Sequence, residues 1–172
     1  QISSGYNQNC ALEDTGTIIC WGSDYWGQVS LTPTAGIFTE VSITNYHSCG
    51  LDNTGYITCW GNDLWAQVPE RNQPNRWFEA PTTGPFSQFS AGYTHSCALD
   101  SKGAILCWGF NFYDVVTETP GSGEFTQVSA GWDHSCALDS TGAITCWGRT
   151  DGEIDVPTTG PFTQVSAGWD YS

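Results

Sequence analysis

The chain has 172 residues and carries 18 acidic against 4 basic side chains, which gives a net charge of −14 at pH 7. Binding to nucleic acid or to an anionic membrane surface is disfavoured, because both repel so acidic a protein. Insertion into a membrane is disfavoured because no apolar run of about 18 residues is present to span a bilayer. The length suits one domain with its own core.

Four copies of one unit follow each other along the chain. Their cores are CALEDTGTIIC (10–20), CGLDNTGYITC (49–59), CALDSKGAILC (97–107) and CALDSTGAITC (136–146), each followed by Trp-Gly. In the last three copies, the first cysteine directly follows an alternating segment: TEVSITNYHS, SQFSAGYTHS and TQVSAGWDHS, respectively. A period of two indicates β-strands, and no segment sustains a helical period. Each unit is therefore predicted to contain three strands, joined by two turns and followed by a long loop.

These units determine the predicted domain organisation. They span about residues 1–38, 39–86, 87–125 and 126–162, and residues 163–172 begin a fifth copy. A unit of roughly 40 residues cannot bury its own hydrophobic face, so neighbouring units must stack. We predict a single all-β repeat domain of the β-propeller type, with four blade units and one unfinished strand. It would form part of a larger propeller or of an open repeat array.

The two cysteines of each core are predicted to face each other across a hairpin. Pairing Cys136 with Cys146 leaves residues 140–142 as a three-residue loop, whose third position requires the positive φ that Gly142 supplies. Directly opposed residues of antiparallel strands lie about 4.5–5.5 Å apart, within reach of a disulfide. Of about 105 possible connectivities, we therefore predict the local pairs Cys10–Cys20, Cys49–Cys59, Cys97–Cys107 and Cys136–Cys146.

A zinc site is the alternative explanation of the cysteines, because His47, His95 and His134 each stand two residues before a cysteine. The first unit, however, has Gln8 at this position and keeps both cysteines. The spacing also lacks the short Cys-x-x-Cys segment of structural zinc sites. We therefore predict disulfides, with no metal and no cofactor. Disulfides persist in oxidising compartments, so the predicted location is extracellular or at the cell surface.

Aromatic residues recur in the loops of the units. Tyr6, Tyr93, Trp132 and Trp169 follow the first turn of their units, where the second unit has Asn45, and Trp26 and Trp65 recur in the long loops. An insertion in the second unit (69–81) adds Trp77 beside Arg71 and Arg76. Such rings can stack on sugars or anchor a protein, or they can cover the ends of the blades. The candidate binding residues are Tyr6, Trp26, Trp65, Trp77, Tyr93, Trp132 and Trp169.

No catalytic constellation is evident in the sequence. The histidines and the serines beside them recur once per unit, which indicates a structural role within the repeat and no catalytic triad. Asp151, Glu153 and Asp155 form the densest acidic group, but their spacing matches no calcium loop. We therefore predict that the protein is not an enzyme.

The segment VSAGWDHSCALDSTGAITCWG resembles the repeat of the regulator of chromosome condensation family of β-propellers. The resemblance covers almost the whole chain, although the cysteine pairs replace apolar positions and the loops at 111–116 and 149–156 drift from the pattern. It implies a seven-bladed propeller, in a family that includes nuclear exchange factors and a secreted inhibitor of β-lactamases. The predicted disulfides and the acidic charge point away from the nuclear activity.

The two ends of the sequence fall inside a repeat. TQVSAGWDYS (163–172) stops one residue before its cysteine, and the first residues start partway along the same strand without a methionine or a leader segment. An excerpt of a longer protein, an open array, and a protomer that adds its last strand to a neighbour are the alternatives.

The predicted function is a non-enzymatic extracellular scaffold for structural, adhesive or self-assembling contacts. Its predicted partner is a protein, including copies of itself that dock through the strand from Thr163 to Ser172. The alternative is a module that binds a glycan or a protein, in the manner of a lectin or of a secreted inhibitor.

Overall fold

The structure is a computed structural model that describes residues 1–62, 81, 84–149 and 156–168. Within these ranges the chain folds into four three-stranded antiparallel sheets, in each of which the strands follow sequence order. Blade I contains β1 (Ile2–Ser4), β2 (Gln8–Leu12) and β3 (Ile18–Gly22), and blade II contains β4 (Phe38–Ile43), β5 (His47–Asp52) and β6 (Ile57–Gly61). Blade III contains β7 (Phe86–Ala91), β8 (His95–Asp100) and β9 (Ile105–Gly109), and blade IV contains β10 (Phe125–Ala130), β11 (His134–Asp139) and β12 (Ile144–Gly148). The prediction of an all-β propeller-type repeat is confirmed.

The second and third strands of every blade pair in one register. In blade IV, Cys136 opposes Cys146 and Leu138 opposes Ile144, and Gly142 at the third loop position has a φ of +84°. The opposed cysteines are close enough to bond, with Cα atoms 4.0–4.1 Å apart in the four hairpins. The structure joins Cys10–Cys20, Cys49–Cys59, Cys97–Cys107 and Cys136–Cys146, and it leaves no free cysteine.

The hydrophobic core lies between the blades. Each blade has an incoming face, which packs on the preceding blade, and an outgoing face, which packs on the following one. Between blades I and II, for example, Cys10 and Ile18 of the outgoing face meet Val41 and Trp60 of the incoming face. Comparable clusters join blade II to blade III and blade III to blade IV. The middle strands of blades II, III and IV are consequently buried on both faces.

The end of the chain occupies the position of a further first strand. Residues 163–168 pair with no other strand among the described residues, yet the backbone N–H groups of Val165 and Ala167 donate to Gln127 and Ser129 of blade IV. The array is therefore open, with four blades and part of a fifth strand. Within the described ranges, no helix is long and apolar enough to cross a membrane.

Candidate functional site

A ladder of side-chain hydrogen bonds joins the first strands of successive blades. In each first strand, or directly before it in blade I, a Gln or Glu and the Ser two residues later accept hydrogen bonds from backbone N–H groups at the next first-strand position. At the junction of blades III and IV, Gln88 Oε1 accepts from Val128 N–H (2.9 Å) and Ser90 Oγ accepts from Ala130 N–H (3.0 Å). The same arrangement uses Gln1 and Ser3, Glu40 and Ser42, and Gln127 and Ser129.

The recurring histidines form a second set of inter-blade contacts. His47 Nε2 lies 3.0 Å from Ser96 Oγ of blade III, and His95 Nε2 lies 2.7 Å from Ser135 Oγ of blade IV. Gln8 replaces histidine in blade I and makes the equivalent contact, donating from Nε2 to Ser48 Oγ at 3.3 Å. These side chains therefore hold neighbouring blades together.

The environment of the two inner histidines keeps them neutral. Burial, with a smaller contribution from His95, lowers the pKa of His47 to about 3. Burial and the neighbouring His134 lower the pKa of His95 to about 3 in the same way. A fully buried imidazole that bonds to a serine of the next blade has no access to a substrate in this structure. Their geometry therefore fits a structural role at the junctions.

Metal-ligating side chains do not cluster among the described residues. These residues contain no group of three or more His, Cys, Asp or Glu side chains that could coordinate a metal ion. In blade IV, Asp133 is buried, and Arg149 Nη1 donates to its Oδ2 at 3.1 Å. His134 Nδ1 lies 3.5 Å from the other carboxylate oxygen. The acidic residues Asp151, Glu153 and Asp155 lie outside the described residues.

The incoming face of blade I is exposed, although the same positions are buried in the other blades. Trp21 is 47% exposed, whereas its equivalents Trp60 and Trp147 are 3% and 4% exposed. Those two indoles donate to backbone carbonyls of the preceding blade's long loop, at Gln28 (2.9 Å) and Val115 (2.8 Å). Likewise, Ile2 is 73% exposed and its equivalent Val41 is 1% exposed. Blade I thus presents an apolar surface that every other blade buries.

At the opposite end, two ladder positions face solvent. Gln164 and Ser166 correspond to Gln127 and Ser129, and both are exposed. At the equivalent positions of the other blades, the hydrogen bonds come from backbone N–H groups of the next first strand. Gln164 and Ser166 would therefore accept from a further first strand. Within the described residues no blade packs on the incoming side of β1, where Ile2 and Ser4 hold the donor positions of Val41 and Ile43.

The structure brings several of the predicted aromatic residues together. Tyr6, Tyr93 and Trp132 line a cavity of about 350 Å³ at the ends of the first strands, and the rings of Tyr93 and Trp132 make an edge-to-face contact with centroids 5.8 Å apart. Trp26 lies outside this row and lines a second cavity, which also includes Tyr6 and Tyr93. Trp65, Trp77 and Trp169 lie outside the described residues.

The second cavity contains residues that the sequence analysis did not select. It has a volume of about 560 Å³, and Tyr25, Tyr46 and Asn45 are among its lining residues. Tyr46 Oη lies 2.8 Å from Tyr93 Oη, and their rings meet edge to face. The one available signal was the break in the repeat at Asn45-Tyr46, where the aromatic residue stands one place later than in the other units.

The chain contains repeats of a known family. Residues 38–64, 86–114 and 125–152 match the family model described as the regulator of chromosome condensation (RCC1) repeat. These segments contain blades II, III and IV. A comparison with curated proteins finds no match.

Solved structures of similar fold include plant and yeast proteins. The CRINKLY WD40 ectodomain of the Arabidopsis thaliana receptor kinase ACR4 has a TM-score of 0.76 at 24% identity, over 98% of this chain and 61% of that one. The ectodomain of the Physcomitrella patens receptor kinase CR4 has a TM-score of 0.77 at 24% identity, over 97% and 48%. Prp20p of Saccharomyces cerevisiae, described with its binding to Gsp1p and histones, has a TM-score of 0.69 at 17% identity, over 86% and 44%. The likeness shows a shared fold, and this chain spans less than two thirds of each of these structures.

Proposed function

Because this chain is built from repeats of the regulator of chromosome condensation type folded as propeller blades, we propose that it is a non-enzymatic, extracellular scaffold that binds proteins. The four disulfides support the location, since such bonds persist in oxidising compartments. The net charge of −14 favours proteins over nucleic acid as partners.

The proposed partner is a second copy of this chain, docked head to tail. The exposed incoming face of blade I carries this proposal, because Ile2 and Trp21 are bare where Val41 and Trp60 are buried. In blades II, III and IV the equivalent apolar surface is covered by the outgoing face of the preceding blade. The exposed surface of blade I should therefore fit the outgoing face of the same repeat in a second copy.

The opposite end supplies the matching polar groups. Gln164 and Ser166 are exposed acceptors, and Ile2 and Ser4 of a second copy hold the corresponding donor positions. This contact uses the described part of the strand predicted to dock from Thr163 to Ser172; residues 169–172 lie outside the described residues. A head-to-tail contact that does not close into a ring extends into a linear array.

The test is the mass of the purified, non-reduced chain, measured by light scattering after size-exclusion chromatography over a range of concentrations. We expect dimers and larger species to increase with concentration, and Trp21→Lys to leave a monomer. Leu106→Lys is the matched control, because Leu106 is 46% exposed and lies on a strand of blade III, away from both ends. A wild-type chain that stays monomeric at about 100 µM would contradict self-assembly, since even weak specific contacts have dissociation constants in that range.

A further inference from the structure

The loop after the first strand of blade II breaks the aromatic row of the propeller. Tyr6, Tyr93 and Trp132 hold equivalent positions in blades I, III and IV, but blade II has Asn45 there. The aromatic residue of blade II is Tyr46, one position later, and its hydroxyl is paired with that of Tyr93 at 2.8 Å. The shorter Asn45 side chain therefore leaves an opening between Tyr6 and the Tyr46–Tyr93 pair, and the cavity of about 560 Å³ occupies this region.

Aromatic rings form much of the cavity wall. Tyr25 and Trp26 of the blade I loop are in edge-to-face contact, with centroids 4.8 Å apart. Tyr46 and Tyr93 form a second edge-to-face pair at 5.0 Å, and Tyr6 is largely exposed beside them. Rings held in such pairs lose little conformational freedom when a flat ligand packs on them.

The remaining lining is polar and uncharged. Carboxamides of Asn7, Gln8, Gln28 and Asn45, together with the hydroxyl of Ser23, are among the lining residues, and the part of the chain that the structure describes contributes no Asp, Glu, Lys, Arg or His to this lining. Each carboxamide has both a donor and an acceptor group. Gln8 Oε1 is also buried without a hydrogen-bond partner among the described residues, although Gln8 Nε2 is fully engaged with Thr44 O and Ser48 Oγ.

We propose that this cavity is a binding site for a neutral pyranose sugar. The C–H face of a pyranose packs against aromatic rings, while its hydroxyls both donate to and accept from carboxamides. The volume lies within the range of about 300–1,000 Å³ typical of small-molecule sites. The net charge of −14 disfavours acidic sugars. This site is separate from the blade I face that is proposed for self-assembly.

A quaternary ammonium group is the other ligand that aromatic walls attract in an acidic protein. It can use the rings but cannot donate hydrogen bonds to the amide oxygens or accept them from the amide N–H groups. Gln28 Oε1 already accepts a hydrogen bond from Trp26 N–H. The carboxamides of Asn7 and Asn45 and the unused Gln8 acceptor therefore favour the sugar.

The experiment is titration of the non-reduced chain with cellobiose, lactose, maltose and N,N′-diacetylchitobiose, followed by calorimetry and by saturation-transfer NMR. We expect at least one disaccharide to bind, and Trp26→Ala to weaken that binding about fivefold or more, as loss of an aromatic contact implies. Asn45→Tyr restores the aromatic residue that the other blades carry at this position, fills the opening, and should abolish binding. Cellohexaose, maltohexaose and hexa-N-acetylchitohexaose identify the source: binding of the disaccharide indicates a free or terminal sugar, and binding of the hexasaccharide alone indicates a polymeric glycan.

Phe112→Ala is the matched control, because Phe112 is the equivalent of Tyr25 in the blade III loop and is 55% exposed outside the cavity. It should leave sugar binding unchanged. The proposal is overturned if none of the sugars binds at about 10 mM, a very weak affinity even for a small ligand. It is also overturned if choline binds in their place, or if Phe112→Ala weakens binding as much as Trp26→Ala does. The disulfide content and the circular dichroism spectrum of each variant establish that it is folded.

Discussion

Glu40 is the one acidic residue in the inter-blade ladder, and it fits its position less well than glutamine does. Gln88 at the equivalent position of blade III both accepts from Val128 N–H (2.9 Å) and donates to Val128 O (3.0 Å). Glu40 Oε2 makes a single long contact, 3.5 Å from Phe89 N. A carboxylate cannot donate, and burial raises the pKa of Glu40 to about 7. Only the protonated form can therefore act as glutamine does.

We predict that Glu40→Gln stabilises the chain at alkaline pH and has little effect in acid. The pKa of Glu40 is about 7 in the folded chain, against 4.5 as its ordinary value, so the folded state binds more protons between these values. The wild-type free energy of unfolding consequently falls as pH rises through this window. At pH 8 the variant should gain about 1–2 kcal/mol, because a buried charge is removed.

Urea denaturation at pH 5 and pH 8 measures this difference, and the reverse change Gln88→Glu is the control. Gln88→Glu should introduce the same loss of stability with rising pH at the junction of blades III and IV. Equal stabilisation by Glu40→Gln at both pH values would show that ionisation of Glu40 is not the cause.

At the scale of elements, each disulfide links the second and third strands of one blade. In blades I to III its sulfur atoms face the next blade. Cys97 and Cys107 are buried and belong to the core cluster that also contains Phe125 and Val128. A disulfide that closes a loop of this length restricts the unfolded chain, and it thereby stabilises the folded state by roughly 2–3 kcal/mol. Its sulfur atoms add packing against the next blade.

We predict that replacing Cys97 and Cys107 together by alanine lowers the free energy of unfolding by about 3–5 kcal/mol, as the loop-closure and packing losses combine. The double change Cys10→Ala, Cys20→Ala removes a disulfide that closes a loop of the same separation in blade I, where Cys20 is only half-buried. It should therefore cost less. Guanidinium unfolding of the oxidised proteins gives both values, and an equal loss in the two variants would argue against the packing contribution.

The hairpins were predictable from the sequence because their interactions are local. The pairing of Leu138 with Ile144 and the glycine at the third loop position follow from the ten-residue separation of the cysteines. Contacts between blades were not predictable in this way. His47 bonds to Ser96, which stands 49 residues later in the sequence. Whether these two side chains meet depends on how the blades stack. The binding cavity was missed for the same reason, since Tyr46 stands outside the repeated aromatic position and meets Tyr93 only through the fold.

At the scale of the whole molecule, buried neutral histidines tie the stability of successive junctions to pH. The pKa values of His47 and His95 are about 3 in the folded chain, against an ordinary value of 6.5, so the unfolded chain binds more protons between these limits. Stability therefore falls as pH falls through this window. Glu40 has the opposite effect on stability, which falls as pH rises above 4.5 because the pKa of its carboxyl is raised to about 7.

We predict that the double variant His47→Gln, His95→Gln, made in the Glu40→Gln background, resists acid better than that background does. Blade I already uses Gln8 at this position to reach the serine of the next blade, so glutamine can make the contact. The difference in stability between pH 7 and pH 4 should decrease by several kcal/mol, since each histidine contributes up to about 1.4 kcal/mol per pH unit. Denaturation curves at both pH values test this expectation, and parallel loss of stability in the two proteins would exclude the histidines as its source.

The ladder of glutamine, glutamate and serine side chains also bears on how the number of blades is set. Every junction uses the same two acceptor positions on one blade and the same two N–H donors on the next. A unit inserted between any two blades, or removed from between them, would meet compatible partners on both sides. Gain or loss of a whole unit by gene duplication or deletion therefore leaves every junction chemically complete, so blade number can change in evolution without redesign of the interfaces.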